Sequence, residues 1–330
     1  MTLTHKVLQQ LSDGHFHSGQ SLGESLGVSR AAIWKAIQQL QQKYEIHIQS
    51  VTGRGYRLPQ PIELHDIDQI SAQLSSQTNS HLNSIEILTS IDSTNEYLLK
   101  AASLGQVSGS VVLAEQQKAG RGRRGRTWIS PFGRNLYLSL LWRFDLSMQD
   151  LSALGIAVAV AIARAVSKYT SDHKIKWPND IFWQGRKLAG ILLEVQGEAQ
   201  GPVAVVIGVG VNIGMTNEAG RDIDQDWVDM TTVCEQPVSR QTLASAVINE
   251  LFHAVTDFEK TGLAGFRREW SSLDMLQDQQ VEILIGENKI SGVSRGINEN
   301  GAILIEIDGK LKTYMAGEVS LRPQRATTSE

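Results

Sequence analysis

The chain has 330 residues, 41% of them hydrophobic and 20% charged, which suits a globular protein of two or three domains rather than a single core. A net charge of −4 gives no overall pull towards nucleic acid, and the single cysteine, Cys234, excludes an intrachain disulfide and a thiolate metal site. Met1-Thr2-Leu3-Thr4-His5-Lys6 lacks the apolar core of a signal peptide, and the apolar run 151–166 is broken by Gly155 and Arg164. A cytoplasmic protein with no membrane partner is expected.

The charge is uneven. Residues 1–60 carry Lys6, Arg30, Lys35, Lys43, Arg54 and Arg57 against Asp13, Glu24 and Glu45, a net of +3, which leaves −7 for the remainder. The same segment reads as three short helices and a hairpin. Val7, Leu8 and Leu11 give a first apolar face; residues 21–26 form a second helix, ended by Gly27. Ser29 is placed to cap the third, in which Ile33, Ile37 and Leu40 recur at helical spacing. Helix, turn, helix is the pattern whose second helix enters a major groove, with Ser29, Arg30, Trp34 and Lys35 facing DNA. Ile46-His47-Ile48 and Tyr56-Arg57-Leu58 alternate like strands around a turn carrying Arg54, a candidate wing reaching for phosphate. Without DNA, the same elements are an ordinary helical bundle with a surface hairpin.

Pro59 and Pro61 mark an exit, so a first domain is expected to span 1–62. A polar stretch, 69–84, follows, with a connecting helix near residues 66–74. Strands are expected at 85–88, 111–114, 136–141, 175–177, 189–194 and 203–211, and helices at 95–102, 151–168 and 243–258. This order is not a regular βαβα alternation and predicts a mixed sheet in a second domain, 63–273. From residue 274 to 330 the turns Gly286-Glu287-Asn288, Asn300-Gly301 and Asp308-Gly309 predict hairpins and a small β-barrel.

The densest signal is Gly120-Arg121-Gly122-Arg123-Arg124-Gly125-Arg126, a flexible backbone loaded with forked cations suited to phosphate or carboxylate. Its glycines also spell G-x-G-x-x-G, but Thr127-Trp128-Ile129-Ser130-Pro131 cannot open the helix that a dinucleotide site needs. Ser93-Thr94-Asn95, Gln117, Lys176-Trp177-Pro178-Asn179-Asp180, Lys187-Leu188-Ala189-Gly190 and Gly208-Val209-Gly210-Val211-Asn212 are further islands. The last ends a strand with glycines, where a ligand could approach the backbone. Each island alone has a bland reading as a turn, a cap or a strand end.

In this order, and behind a winged helix, the islands resemble biotin–protein ligases of the bifunctional form that also represses the biotin operon. The resemblance covers nearly the whole chain, up to Gly317-Glu318-Val319-Ser320-Leu321-Arg322. It implies an α+β chain: a winged helix-turn-helix, a class II synthetase-like catalytic domain on a mixed sheet, and an SH3-like β-barrel. It also implies that biotin is activated with MgATP to biotinyl-5′-adenylate and passed to a lysine of the biotin carboxyl carrier protein. The adenylate-bound homodimer would then bind operator DNA. By the same resemblance Ser93, Thr94, Asn95, Gln117, Arg121, Gly122, Arg123 and Lys187 hold biotin. Arg126, Lys176, Asn179, Asp180, Asn212, Trp227 and Arg322 hold ATP, with Asp180 also on Mg²⁺. Arg123, Lys187 and Lys176 carry the chemistry. A lipoate ligase, or a biotin-sensing regulator without catalysis, are the alternatives.

Overall fold

The computed structural model describes residues 2–197, 202–285, 288–316 and 320–323. Helix α1 (Leu3–Leu11) buries Val7, Leu8 and Leu11. Helix α2 (Gly19–Leu26) starts two residues earlier than expected because Ser18 caps it, accepting from the Ser21 N–H, and Gly27 ends it at φ 66°. In α3 (Arg30–Tyr44) Ser29 is the cap and Ile33, Ala36, Ile37 and Leu40 face inward. The hairpin strands are β1 (Gln49–Val51) and β2 (Gly55–Arg57), the first displaced by three residues from its expected place. Ile46 and Ile48 are used to fill the helical core instead, and Val51 opposite Gly55 closes the pair.

The polar stretch is not a linker. Asp66 caps α4 (Ile67–Ser71) and Ser75 caps α5 (Ser76–His81). The Ser75 N–H and Thr78 hydroxyl then donate to Asn249 Oδ1 at 2.9 and 2.7 Å, docking the pair on the long helix 240–261.

The central part continues with β3 (Ser84–Leu88), α6 (Thr94–Ser103), β4 (Ser110–Ala114), β5 (Leu136–Phe144) and α7 (Leu154–Ser167). Then come β6 (His173–Lys176), β7 (Asp180–Trp183), β8 (Arg186–Gln196), β9 (Val203–Val211), α8 (Met230–Val233), α9 (Arg240–Thr261) and α10 (Ala264–Leu273). The seven strands lie in the order β3-β4-β5-β9-β8-β7-β6, with β3–β4 parallel and the other pairs antiparallel, so the sheet is mixed as expected. Strand β7 and helix α10 were not legible as elements. β7 directly follows Pro178-Asn179, which read as a turn, and α10 shows its apolar face only through Phe266 and Trp270, four residues apart.

Residues 150–167, with α7, are apolar enough to cross a membrane by length and composition, but most of the stretch is buried inside the protein. Strand alternation explains how the sheet uses its two faces. Leu138, Leu140, Val205, Ile207, Val209 and Ile191 join the large core with α7, α9 and α10. Leu141, Ala204 and Val206 turn the other way and pack with Leu98 and Ala102 of α6. Helix α6 covers only part of that second face. Further along the same strands Ser139, Gly208, Gly210, Gly190 and Leu192 lie beneath the site.

The last part is a five-stranded antiparallel sheet of β10 (Gln280–Ile285), β11 (Asn288–Ile297), β12 (Ile303–Ile307), β13 (Lys310–Tyr314) and β14 (Ser320–Pro323). Its order is β13-β12-β11-β10-β14. Asp308 (φ 50°) and Gly309 (φ 73°) close the β12–β13 hairpin, the left-handed pair that a tight turn requires. Gly286, Glu287 and the Gly317–Val319 part of the terminal motif lie outside the described residues. The Trp177 indole N–H donates to Gly301 O at 3.0 Å, tying this sheet to the central one.

At the other end, Phe132 belongs to the N-terminal core, its ring 5.6 Å from Tyr44, and Gln116 Nε2 donates to Tyr44 O at 3.1 Å. Beside this junction Arg240 is buried and donates to Glu115 Oε2 (2.8 Å), Asn135 O (2.9 Å) and Glu63 O, and lies 3.0 Å from His65 Nε2. Burial, reinforced by the Arg240 charge, pushes the His65 imidazole down to about 4. Burial acts to raise the Glu115 carboxyl, but the Arg240 and His65 charges and the hydrogen bonds from these two residues together outweigh it and hold the group below its ordinary range.

Candidate active site

A cavity of about 480 Å³ lies on the face of the sheet that α6 leaves open. One end is a closed polar cradle. Ser93 caps α6, accepting from the Glu96 N–H, and so fixes Thr94 and Asn95 on its first turn. The Thr94 N–H and hydroxyl both donate to Gln117 Oε1, at 2.9 and 3.1 Å, and Gln117 Nε2 donates to Ser130 Oγ at 3.2 Å. Asn95 Nδ2 donates to Leu192 O (3.2 Å) and Glu194 Oε2 (2.8 Å). Ser139 Oγ, fully buried, lies 2.7 Å from Thr94 Oγ1 and 2.6 Å from Asn95 Oδ1. Ser139 and Glu194 do not line the cavity but brace Thr94 and Asn95, which do, and the sequence reading did not single them out. The signal for Ser139 was available: it is the one serine in the otherwise leucine and tyrosine run Leu136–Leu141.

The strand glycines Gly190, Gly208 and Gly210 line the cavity, and the room left by their missing side chains is also used by side chains of the protein. A methyl group on Gly208 would lie 2.2 Å from Asn95 Oδ1. On Gly210 or Gly190 it would lie 2.5 or 2.8 Å from the Trp128 ring. The absent side chains therefore let Asn95 and Trp128 sink onto the sheet, and Trp128 becomes a floor of the cavity rather than merely the end of the arginine loop.

The loop itself folds as a small hairpin. Trp128 N–H donates to Gly120 O at 2.9 Å and Gly122 N–H to Arg126 O at 2.7 Å, with Arg124 in the left-handed region at φ 56°. Arg121, Gly122, Arg123, Arg124 and Arg126 all line the cavity. Arg121 Nη2 is 3.5 Å from Glu194 Oε1 and 3.9 Å from Glu96 Oε2. Arg123 Nη1 donates to Asn179 Oδ1 at 3.4 Å. Burial lowers the Arg123 guanidinium below its ordinary value, the neighbouring Arg124 and Arg126 charges add to this, and Asp180 opposes them. A guanidinium stays cationic at neutral pH.

Lys187, at the start of β8, pairs with Asp180 Oδ2 at 2.9 Å and sits 5.5 Å from the centre of the Trp128 ring. Its backbone receives the chain a second time: Lys187 N–H donates to Asp226 O and Val228 N–H to Lys187 O, both at 2.9 Å, which sets Trp227 at the cavity wall. Lys176, over the Phe182 ring at 5.3 Å, also lines the cavity. Asn212 does too, while its Nδ2 holds Val228 O (3.1 Å) and Lys187 O (3.4 Å). Asn179 is buried behind the wall, donating to Ile191 O at 3.3 Å, and touches the site through Arg123. The backbone of Arg322, in β14, pairs with Glu282 of β10; its side chain is outside the described residues.

The expected DNA-facing residues form a separate group. Ser29 caps α3, while Arg30, Trp34 and Lys35 are exposed on it, Trp34 by 56%, and Arg54 is exposed at the hairpin tip.

Comparison with known proteins agrees with both groups. Residues 87–212 match the biotin/lipoate A/B protein ligase family, residues 4–57 a helix-turn-helix domain, and residues 278–322 the biotin protein ligase C-terminal domain. The chain is 42% identical over 325 residues to the bifunctional ligase/repressor BirA of Escherichia coli, covering 97% of this chain and 98% of that one. It is 29% identical to the BirA of Bacillus subtilis, covering 97% and 99%. Among solved structures, the biotin protein ligase of Aquifex aeolicus in complex with biotin and ATP superposes with a TM-score of 0.62 at 26% identity, covering 74% of this chain and all of that one. The chain belongs to the biotin protein ligase family, in its bifunctional ligase/repressor branch.

Proposed function

We propose that this protein activates biotin with ATP to biotinyl-5′-AMP, transfers the biotinyl group to a lysine of the biotin carboxyl carrier protein, and represses transcription as an adenylate-bound dimer. The observation that carries the ligase reading is one cavity that combines a hydrogen-bonding cradle of Ser93, Thr94, Asn95 and Gln117 with six lining cations (Arg121, Arg123, Arg124, Arg126, Lys176, Lys187). A ureido ring has both donors and acceptors and suits Ser93, Thr94, Asn95 and Gln117. The carboxylate and phosphates suit the cations.

In the first step a biotin carboxylate oxygen bonds to the α-phosphorus of ATP and the bond to pyrophosphate breaks. Lys187 and Arg123 stabilise the charge on the carboxylate and on the phosphoryl oxygens, held in place before the reaction by Asp180 and Asn179. In the second step the carrier lysine's amine bonds to the carbonyl carbon of the mixed anhydride, AMP leaves, and the amine's surplus proton is lost. Positioning accounts for much of the rate. Trp227 covers the adenine; Lys176 and Arg126 meet the phosphates; Asn212 fixes the wall beside the nucleotide; Arg322 is assigned to ATP by its place in the terminal motif. Among the described residues no three His, Cys, Asp or Glu side chains cluster as a metal site, so Mg²⁺ fits here as a companion of the ATP phosphates with Asp180 as its protein ligand. Bound there, it would neutralise phosphate charge.

We divide the chain at 62/63 and 273/274, with the catalytic part class II synthetase-like and the last part an SH3-like barrel. Ordering of the arginine loop by the adenylate completes a dimer surface, which couples ligand to DNA binding by about 1–3 kcal/mol. The ligase test is to incubate the protein with ATP, carrier protein and either biotin or lipoate, and to weigh the carrier. Modification by biotin alone is expected. Lipoylation would assign the site to the lipoate branch, and an unmodified carrier would leave a regulator without catalysis.

A further inference from the structure

Phe16 lies in the turn between α1 and α2, outside both the helix expected to read DNA and the hairpin, yet it organises the hairpin's cations. The next residue, His17, pairs with the hairpin strand: His17 N–H donates to Tyr56 O and Tyr56 N–H to His17 O, both at 2.9 Å. The two backbones are so close that a methyl group on Gly55 would lie 2.1 Å from His17 O. This pairing presents the Phe16 ring to the hairpin, with the Arg54 guanidinium 4.2 Å and the Arg57 guanidinium 4.6 Å from the ring centre. Arg57 Nε also donates to Gln49 Oε1 at 2.8 Å across the strands. Neither guanidinium is ion-paired among the described residues, which leaves both for an external anion.

We propose that Phe16 is a positioning residue for DNA binding: its ring gathers Arg54 and Arg57 into a preformed double-cation grip on adjacent backbone phosphates. The inference rests on the reading of residues 4–57 as a DNA-binding module. Two guanidiniums repel each other and would otherwise sample many rotamers. The electron-rich ring face offsets part of that repulsion and limits the search, so the entropy of ordering is lost on folding rather than on binding. A leucine fills similar space but has no quadrupole to hold a cation.

The test measures binding of the full chain to a mixed-sequence DNA duplex across a salt series, because phosphate contacts dominate non-specific affinity. Phe16→Leu is expected to weaken binding by about tenfold, from two exposed cation–π contacts. Phe16→Trp should restore it, and biotin transfer should be unchanged in both variants. In a chain that already carries Arg54→Ala and Arg57→Ala, Phe16→Leu should have no further effect, the signature of residues acting through one another. An equal loss in that background would make Phe16 a packing residue and overturn the proposal, as would wild-type affinity of Phe16→Leu. Should the unmodified chain itself fail to bind the duplex at low salt, the DNA-binding reading falls first and takes the proposal with it.

Discussion

Replacing Gly208 by alanine adds one methyl group at the floor of the cradle. In the present packing that carbon would be 2.2 Å from Asn95 Oδ1 and 2.8 Å from Asn95 Cγ, where real contacts begin near 3.4 Å. Asn95 must therefore rise from the sheet by about 1 Å, since strand β9 is paired on both sides and cannot yield. That movement breaks or lengthens its hydrogen bonds to Leu192 O, Glu194 and Ser139. Each such bond is worth about 1 kcal/mol net, so losing two or three weakens the cradle by about 2–3 kcal/mol. A loss of that size raises the biotin KM by roughly 30- to 150-fold. The assay is pyrophosphate release with biotin and ATP varied in turn. The ATP KM should stay within about twofold, because Asn95 hydrogen-bonds none of the residues assigned to ATP, and Tm should fall by only a few degrees. A normal biotin KM in a folded Gly208→Ala protein would refute the placement of biotin against Asn95.

Lys187→Ala is expected to slow adenylation by about 2–4 kcal/mol, as removal of a single charge-stabilising donor does, with a smaller effect on Tm; near-normal pyrophosphate release would remove Lys187 from the chemistry. Trypsin should cut the ligand-free chain between Arg121 and Arg126 and spare it with biotin and MgATP, and equal cutting in both states would make the arginine hairpin a fixed turn. Stability should fall in acid through His65. Its imidazole is held at about 4 when folded against an ordinary 6.5, so between these values the unfolded chain binds the extra proton and stability is lost as pH falls. The span corresponds to about 3 kcal/mol at most, and denaturant midpoints measured at pH 7 and pH 4.5 check it. His65→Gln should flatten that slope; a wild-type slope in the variant would assign the acid sensitivity to other groups. The Glu115 carboxyl, also held low, steepens the decline at lower pH.

Much of the molecule follows from local rules that a single chain displays. The Ser29 cap, the Ile33-Ile37-Leu40 stripe, the apolar 203–211 strand and the Asp308-Gly309 turn each act through neighbours in sequence, and each stands where the letters place it. The order of the motifs likewise marked out Ser93–Asn95, the arginine loop and Lys187 as one group before their geometry was in view.

What tertiary structure decided is what depends on distant partners. The connecting helix expected near 66–74 is α4, but the rest of the polar 69–84 stretch gives no sign of α5, which exists because Asn249 and the long helix beneath it offer hydrogen bonds and cover. Strand β7 and the true place of β1 depend on which strand each pairs with, and not on their own composition. Gly208 and Gly210 advertise bare backbone in the sequence. Only the folded sheet, by bringing Asn95 and Trp128 onto them from far along the chain, determines that these side chains share the space with the cavity. Ser139 came to brace the site for the same reason: period-two alternation turned one hydroxyl of a core strand towards α6, and the helix cap at Ser93 set its partners within reach.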